Sequence, residues 1–322
     1  VCQELPFDPF PFLDDPNQQT ILSSMFNLQI EPLSERKLVT LPDGDRISLE
    51  VTTPKGWEPA DRTVLMVHGL CGSHRSPNLV RMAKKLETLG VRAIRFNMRG
   101  CGSGRGLAKQ IYHSGRSEDV FEAVKKVKEE HPDSPLTVIG FSLGGNLVLK
   151  MAGELSSLGT LFIDQVIAVS PPVDLFSSIV MFGEPRNALY ERYFYRMLRK
   201  DVHYLHGKFR DLPRIRLPRY LKLYEFDQVY TAPRCGFSSA KDYYNKCSAV
   251  GLVSEIATPT KILLSEDDPI VSSSSLDGLW TPSNVEVFKT KKGGHMGYLG
   301  NPASGKGFYW LDSVLSEWIQ GN

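Results

Sequence analysis

The stretch Val138–Asn146, VIGFSLGGN, constrains the fold more than any other part of the 322-residue chain. An apolar, β-forming run passes through Gly-x-Ser-x-Gly into a helix-compatible sequence. Glycines two residues before and two residues after a serine are what a very tight strand-to-helix turn requires. Larger side chains at those two places would strike the neighbouring strand or helix. Such a turn lifts the Ser142 hydroxyl above the strand end and aims the backbone N–H of Leu143 outward. The pentapeptide also recurs by chance, as an ordinary turn around a satisfied serine, so its surroundings decide.

Those surroundings alternate strand and helix. TVLMVHG (63–69), VRAIRFNM (91–98), LTVIGFS (136–142), DQVIAVS (164–170), TKILLS (260–265) and VEVFKT (285–290) read as strands. Pro77–Leu89, Glu118–Glu130 with Ser117 as N-cap, Leu143–Ser157 and Lys306–Gln320 carry helical apolar spacing. Lys37–Leu41 and Arg46–Thr52 flank the turn signal PDGD and predict a β-hairpin. Strictly alternating elements imply an α/β fold with a mostly parallel sheet and helices on both faces. The alternation breaks between about Val173 and Val250, in a tyrosine- and arginine-rich, helical stretch. The expected organisation is an N-terminal arm over 1–35 with a short helix near Gln18–Phe26, a core over 36–172 and 251–322, and a helical cap insertion over 173–250.

Composition narrows the partners. A net charge of +2 gives no reason to expect nucleic acid. Five cysteines without a CxxC pair fit free thiols in a reducing compartment better than disulfides or a thiolate zinc site. No HExxH motif or His/Cys cluster suggests a metal. No apolar run reaches the ~18 residues of a membrane span. A cytoplasmic protein is the expectation, although a chain that begins at Val1 leaves an earlier signal or anchor open.

A serine presented in this way needs a base, and the base an orienting acid. Behind such an elbow the acid precedes the histidine in the chain. LLSEDDPIV supplies Asp267 and Asp268; Asp268 is preferred because Asp-Pro-Ile-Val fits the Asp-x-apolar-apolar pattern of acid loops, with Asp267 the rival. KKGGHMGY supplies His295, and Gly293-Gly294 predicts a close approach there. Both loops follow strands, at the sheet edge where ligands of open α/β sheets bind. A second oxyanion donor is expected at the end of VLMVHGLCGS, from the N–H of Leu70 beside that of Leu143. Losing such a donor typically costs about 3–4 kcal/mol of transition-state stabilisation. His68 is expected to be a buried group that fixes this loop. RGCGSGRG (99–106) lacks both G-x-G-x-x-G and G-K-[ST], so it reads as a turn near the pocket mouth rather than a phosphate loop. His113 is expected to hold its loop against the pocket.

GFSLGGN, HGLCGS, RGCGSG, YHSG and DDP…GGH together resemble the α/β-hydrolase superfamily and, more narrowly, its YheT-like branch (AB hydrolase family 4), which includes plant embryogenesis-associated hydrolases. The likeness runs from Asn17-Gln18-Gln19-Thr20 to the last helix. Its most specific parts are Arg99-Gly100-Cys101 with Tyr112-His113-Ser114-Gly115, and YEFDQVYTAP followed by GFSSAKDYY. The resemblance implies a hydrolase fold with a helical cap and hydrolysis of carboxylic esters, lipid esters among them, without a cofactor. It assigns Ser142 as nucleophile, Asp268 as acid, His295 as base, and Leu70 and Leu143 as the oxyanion hole. Acyl transfer or thioester hydrolysis by the same triad, and a non-catalytic binding module, are the alternatives. Between Arg186 and Lys222 the chain holds 11 Lys and Arg against three acids, leaving the rest near −6. Such a cap suits an anionic substrate or peripheral contact with anionic membrane, a solvated helix face being the plain alternative.

Overall fold

The computed structural model describes residues 2–25, 30–213 and 215–321. Among these, nine strands form one sheet: β1 (Cys2–Glu4), β2 (Glu35–Thr40), β3 (Arg46–Thr52), β4 (Thr63–Val67), β5 (Arg92–Asn97), β6 (Leu136–Phe141), β7 (Gln165–Val169), β8 (Thr260–Ser265) and β9 (Val285–Thr290). Their order is β1-β9-β8-β7-β6-β4-β5-β3-β2. β3 runs antiparallel to both β2 and β5, and the remaining pairs are parallel. The hairpin read around PDGD is therefore present at one edge.

The central strands are buried along their whole length, as continuous apolar runs covered on both faces must be. Alternate residues serve opposite layers. Leu65 and Val67 face a core built with α3 (Ser117–Glu130) and α4 (Leu143–Leu155), through Val120, Val124, Leu147 and Met151. Val64 and Met66 face α2 (Pro77–Thr88) and α10 (Trp310–Gln320), through Leu79, Leu86, Leu311 and Leu315. The sheet thus carries two separate apolar layers.

Several boundaries depart from the sequence pattern for identifiable reasons. Ser117 is not a cap but the first helical residue; its hydroxyl donates to Glu154 at 2.5 Å. α10 starts at Trp310 rather than Lys306, because Gly307 takes φ +77 and breaks the helix. α4 stops at Leu155, where Ser156 turns to φ 47. The N-terminal helix is α1 (Pro16–Met25); Phe26, its expected last residue, lies outside the described residues. β1 was not readable: it is an edge strand of three exposed residues that pair with β9 and carry no pattern of their own.

Between β7 and β8 the chain forms α5 (Leu175–Phe182), α6 (Ala188–Lys208), α7 (Leu223–Phe226), α8 (Ala232–Arg234) and α9 (Ala240–Cys247). Their apolar residues form two clusters. One gathers Phe182, Tyr195, Leu223 and Phe226 around Ile270 and Val271, just after β8. The other packs Leu175, Tyr243 and Tyr244 on Leu143 at the head of α4.

The turn from β6 to α4 is the tightest place in this frame. A Cβ at Gly140 would lie 2.2 Å from the carbonyl oxygen of Gly144, and one at Gly144 would lie 2.3 Å from that of Val67. Both obstacles are backbone, so neither can swing away. Gly144→Ala is expected to lower the unfolding free energy by about 3 kcal/mol, the upper end of overpacking costs. Gly207→Ala, in a helical position with nothing within 4 Å, is expected to raise it by about 0.5–1 kcal/mol. Urea denaturation measures both; equal effects would show that the elbow has slack.

Candidate active site

Ser142 holds the backbone at φ 51, ψ −119, a region that costs a non-glycine residue free energy and persists only where the surroundings enforce it. They do so here. Its N–H donates to the Val169 carbonyl at 2.8 Å, and its carbonyl accepts the Gly145 N–H at 2.7 Å. α4 begins at the next residue, so the Leu143 amide belongs to the first turn, whose donors have no partner within the helix. Leu70 follows the end of β4, and both leucines line the same cavity as Ser142. Gly69 lets the two loops meet: a Cβ there would sit 3.1 Å from the Ser142 Cβ. His68 fixes the Leu70 loop from below. It is fully buried, its Nδ1–H donates to the Gly69 carbonyl at 2.7 Å, and its Nε2 accepts the Met98 N–H at 3.2 Å. Burial lowers its pKa to about 4, so the ring is neutral.

His295 stands between Ser142 and Asp268. The serine hydroxyl lies 2.8 Å from Nε2, and Nδ1 lies 2.7 Å from Asp268 Oδ2. The other Asp268 oxygen accepts the N–H groups of Ile270 and Val271 at 2.8 and 2.9 Å, which fixes the carboxylate's plane. Asp267 does different work. Its Oδ1 accepts from the Ser265 hydroxyl at 2.6 Å and the Gly294 N–H at 2.8 Å, so it braces the histidine loop without touching the ring. Ser142, Asp268 and His295 are thus brought together, and Asp267 is set aside.

Of the close approaches expected at Gly293-Gly294, that of Gly293 is to the Tyr298 ring and that of Gly294 is to α1. A Cβ on Gly294 would meet the Pro16 carbonyl oxygen at 2.4 Å, and one on Gly297 would meet the Gln19 backbone at 2.6 Å. The His295 N–H donates to the Thr20 hydroxyl at 2.9 Å, and buried Gln19 exchanges hydrogen bonds with both backbone groups of Leu299. Sequence reasoning did not reach this function of α1. The signal available was a Gln-Thr pair on the inner face of an otherwise unremarkable helix.

Asn146 was also missed. From within α4 it donates to the carbonyls of Ser114 and Cys247 and accepts the Ala249 N–H, joining the YHSG loop to the end of α9. Tyr243 completes the link, accepting the Ser114 N–H and donating to its hydroxyl. His113 sits against Phe237 and Tyr243; its Nδ1 accepts the Gly115 N–H, and burial, followed by the field of Arg116, lowers its pKa to about 3. Buried Arg99 binds both oxygens of Asp119, together with Asp43 and Asp45, so RGCGSGRG is tied down through carboxylates. Among the described residues, no three His, Cys, Asp or Glu side chains gather as metal ligands.

Ser142 and His295 open into a cavity of about 190 Å³ beneath α5, α6 and α9. Its wall is largely apolar, with Leu175, Ile179, Phe182, Phe194, Leu198 and Phe226. Such a chamber keeps the serine–histidine pair away from bulk water while leaving room for an acyl chain or an alcohol. Thr20→Val removes the hydroxyl that accepts the His295 N–H. It is expected to lower stability by about 1–3 kcal/mol, as a buried unsatisfied donor does, and to speed amide exchange at residues 293–299. Thr20→Ser should restore both; wild-type protection in Thr20→Val would contradict the bracing role.

Over residues 62–302 the chain matches the family described as the alpha/beta hydrolase fold. It is 29% identical to YheT of Escherichia coli (strain K12), an esterase by name, over 97% of this chain and 92% of that one. It is 24% identical to the human phospholipase ABHD3, over 94% of this chain and 75% of that protein. Among solved structures, the 2,6-dihydroxy-pseudo-oxynicotine hydrolase is similar in fold, with a TM-score of 0.60 at 17% identity, covering 94% of this chain and 72% of that one. These similarities agree with the YheT-like resemblance carried by the sequence motifs. With its mostly parallel sheet, its serine elbow and a match across most of its length, the chain belongs to the α/β-hydrolase fold family.

Proposed function

We propose that the protein hydrolyses carboxylic esters through an acyl-enzyme, with Ser142 as nucleophile, His295 as base and Asp268 as orienting acid. The observation that carries this reading is the unbroken relay from Ser142 Oγ to His295 Nε2 at 2.8 Å and from His295 Nδ1 to Asp268 at 2.7 Å. His295 takes the serine proton as Oγ attacks the ester carbonyl. Asp268 holds the tautomer that leaves Nε2 free to accept, and stabilises the imidazolium that results. The amides of Leu70 and Leu143 receive the oxyanion. His295 then protonates the departing alkoxide, and a water activated by the same ring releases the acid. Residues 173–250 act as a cap, whose apolar lining selects the chain lodged beneath it. The esterase and phospholipase names of the relatives support ester chemistry, with small-molecule or lipid esters as the class.

The cap also suits an anionic surface. On α6, Leu189, Arg192, Tyr193, Arg196 and Lys200 are exposed at helical spacing, an apolar and basic face together. Among the described residues no helix is long and apolar enough to cross a membrane. The protein is expected to sediment with anionic vesicles and not with neutral ones; equal binding to both would remove this contact.

A fluorophosphonate probe tests the chemistry. Labelling is expected in the wild type and not in Ser142→Ala. Asp268→Asn should slow ester turnover by about 10⁴-fold, through loss of the correct tautomer, whereas Asp267→Asn should slow it far less. An Asp267 effect as large as that of Asp268 would move the acid to the neighbouring residue. Product analysis with added alcohol or thiol acceptors distinguishes hydrolysis from acyl transfer, and labelling without turnover of any acyl ester would overturn the proposed activity.

A further inference from the structure

One wall of the apolar cavity carries a carboxyl group that the ester chemistry does not use. Asp227 lines the chamber together with Ser142 and His295. It opens a π-helical turn, Asp227–Thr231, closed by the Ala232 N–H donating to the Asp227 carbonyl. The wider turn sets Thr231 beside Asp227, and both reach the cavity with Tyr244 of α9. The Tyr244 hydroxyl donates to Oδ2 at 2.6 Å, and Thr231 lines the cavity beside the carboxyl. Among the described residues no lysine or arginine holds this group, and burial pushes its pKa up to about 6.

A carboxylate on the wall of an apolar chamber is a costly way to join this turn to α9. A hydroxyl or an amide would link α7 to α9 without a charge to desolvate. An ionised carboxylate also offers about four acceptor positions, and the Tyr244 donor leaves others for a ligand. We infer that Asp227 recognises the substrate: it accepts a hydrogen bond from a hydroxyl on the part of the ester lodged in the cavity, so the preferred substrates are hydroxylated esters rather than plain alkyl ones. This rests on the esterase reading above and names the substrate class for the same site. The donor already on Asp227 is a hydroxyl, and a second fits the same pattern. An ammonium group would instead have to shed its water against a single carboxylate and apolar walls.

The experiment compares kcat/KM for matched esters on the wild type, Asp227→Asn and Thr231→Val. One pair differs by a hydroxyl on a medium-length acyl chain, a second by a hydroxyl on the alcohol (diol monoester against alkyl ester), and a third ester carries a trimethylammonium group. The wild type is expected to favour one hydroxylated ester over its plain partner by roughly tenfold to hundredfold, the value of a hydrogen bond to a charged group. The pair that responds tells which half of the ester occupies the cavity. In Asp227→Asn that ratio should fall toward one, and in Thr231→Val it should change less. A wild type without hydroxyl preference overturns the inference, whatever the variants do. So does a variant in which both esters of a pair slow equally, the mark of a purely structural aspartate, or a preference for the ammonium ester. Turnover of plain esters that depends on Ser142 but shows no preference defeats this inference alone; absence of turnover on every ester defeats the esterase reading as well.

Discussion

The molecule is organised around a lack of space between β6 and α4. Neither Gly140 nor Gly144 has room for one more carbon, because backbone oxygens stand where it would go. That contact forces Ser142 into a positive φ, turns its hydroxyl out of the sheet and starts a helix at the next amide. It also draws the end of β4 against the elbow, placing Leu70 and Leu143 on the wall of one cavity. A looser turn would lose the serine's orientation and the meeting of the two loops together.

Geometry at the histidine has a different origin. The elbow is enforced locally, whereas the His295 loop is held by a segment 275 residues away in sequence, through Thr20. Asn146 provides a similar tie on the other side, joining α4 to the YHSG loop and to the chain leaving α9. The cluster over Ile270 and Val271 rests on the loop whose N–H groups fix Asp268. The N-terminal helix, the loops after the sheet strands and the helices between β7 and β8 therefore meet at one place. In the proposed mechanism this explains how a strained serine and a loop histidine keep a relay at hydrogen-bond distance before any substrate arrives.

The layered sheet and the meeting of Ser142, Asp268 and His295 were legible because they rest on local signals. Each of the three follows a short apolar strand, and parallel strands deliver their following loops to the same edge. That Asp268 rather than Asp267 lies against His295 was legible from Pro-Ile-Val, whose apolar residues pack against the helices between β7 and β8 while their amides hold the carboxylate. What could not be read depends on distant partners. β1 has no apolar alternation and exists through pairing with β9. Thr20 looks like an ordinary helix threonine until the glycines of the histidine loop lie against it. Ser117 looks like a cap, but its hydroxyl is engaged by Glu154 from the next helix. Asp227 lies in a recognisable motif, yet only the folded cavity shows that it shares a chamber with the serine.

The most direct test of the central claim is a crystal structure of the protein after reaction with a fluorophosphonate. The account predicts phosphorus bonded to Ser142 Oγ, with one phosphoryl oxygen about 2.7–3.1 Å from the amide nitrogens of both Leu70 and Leu143, and the His295 ring still joined to Asp268. An adduct on any other side chain would contradict it. So would a phosphoryl oxygen turned away from both amides.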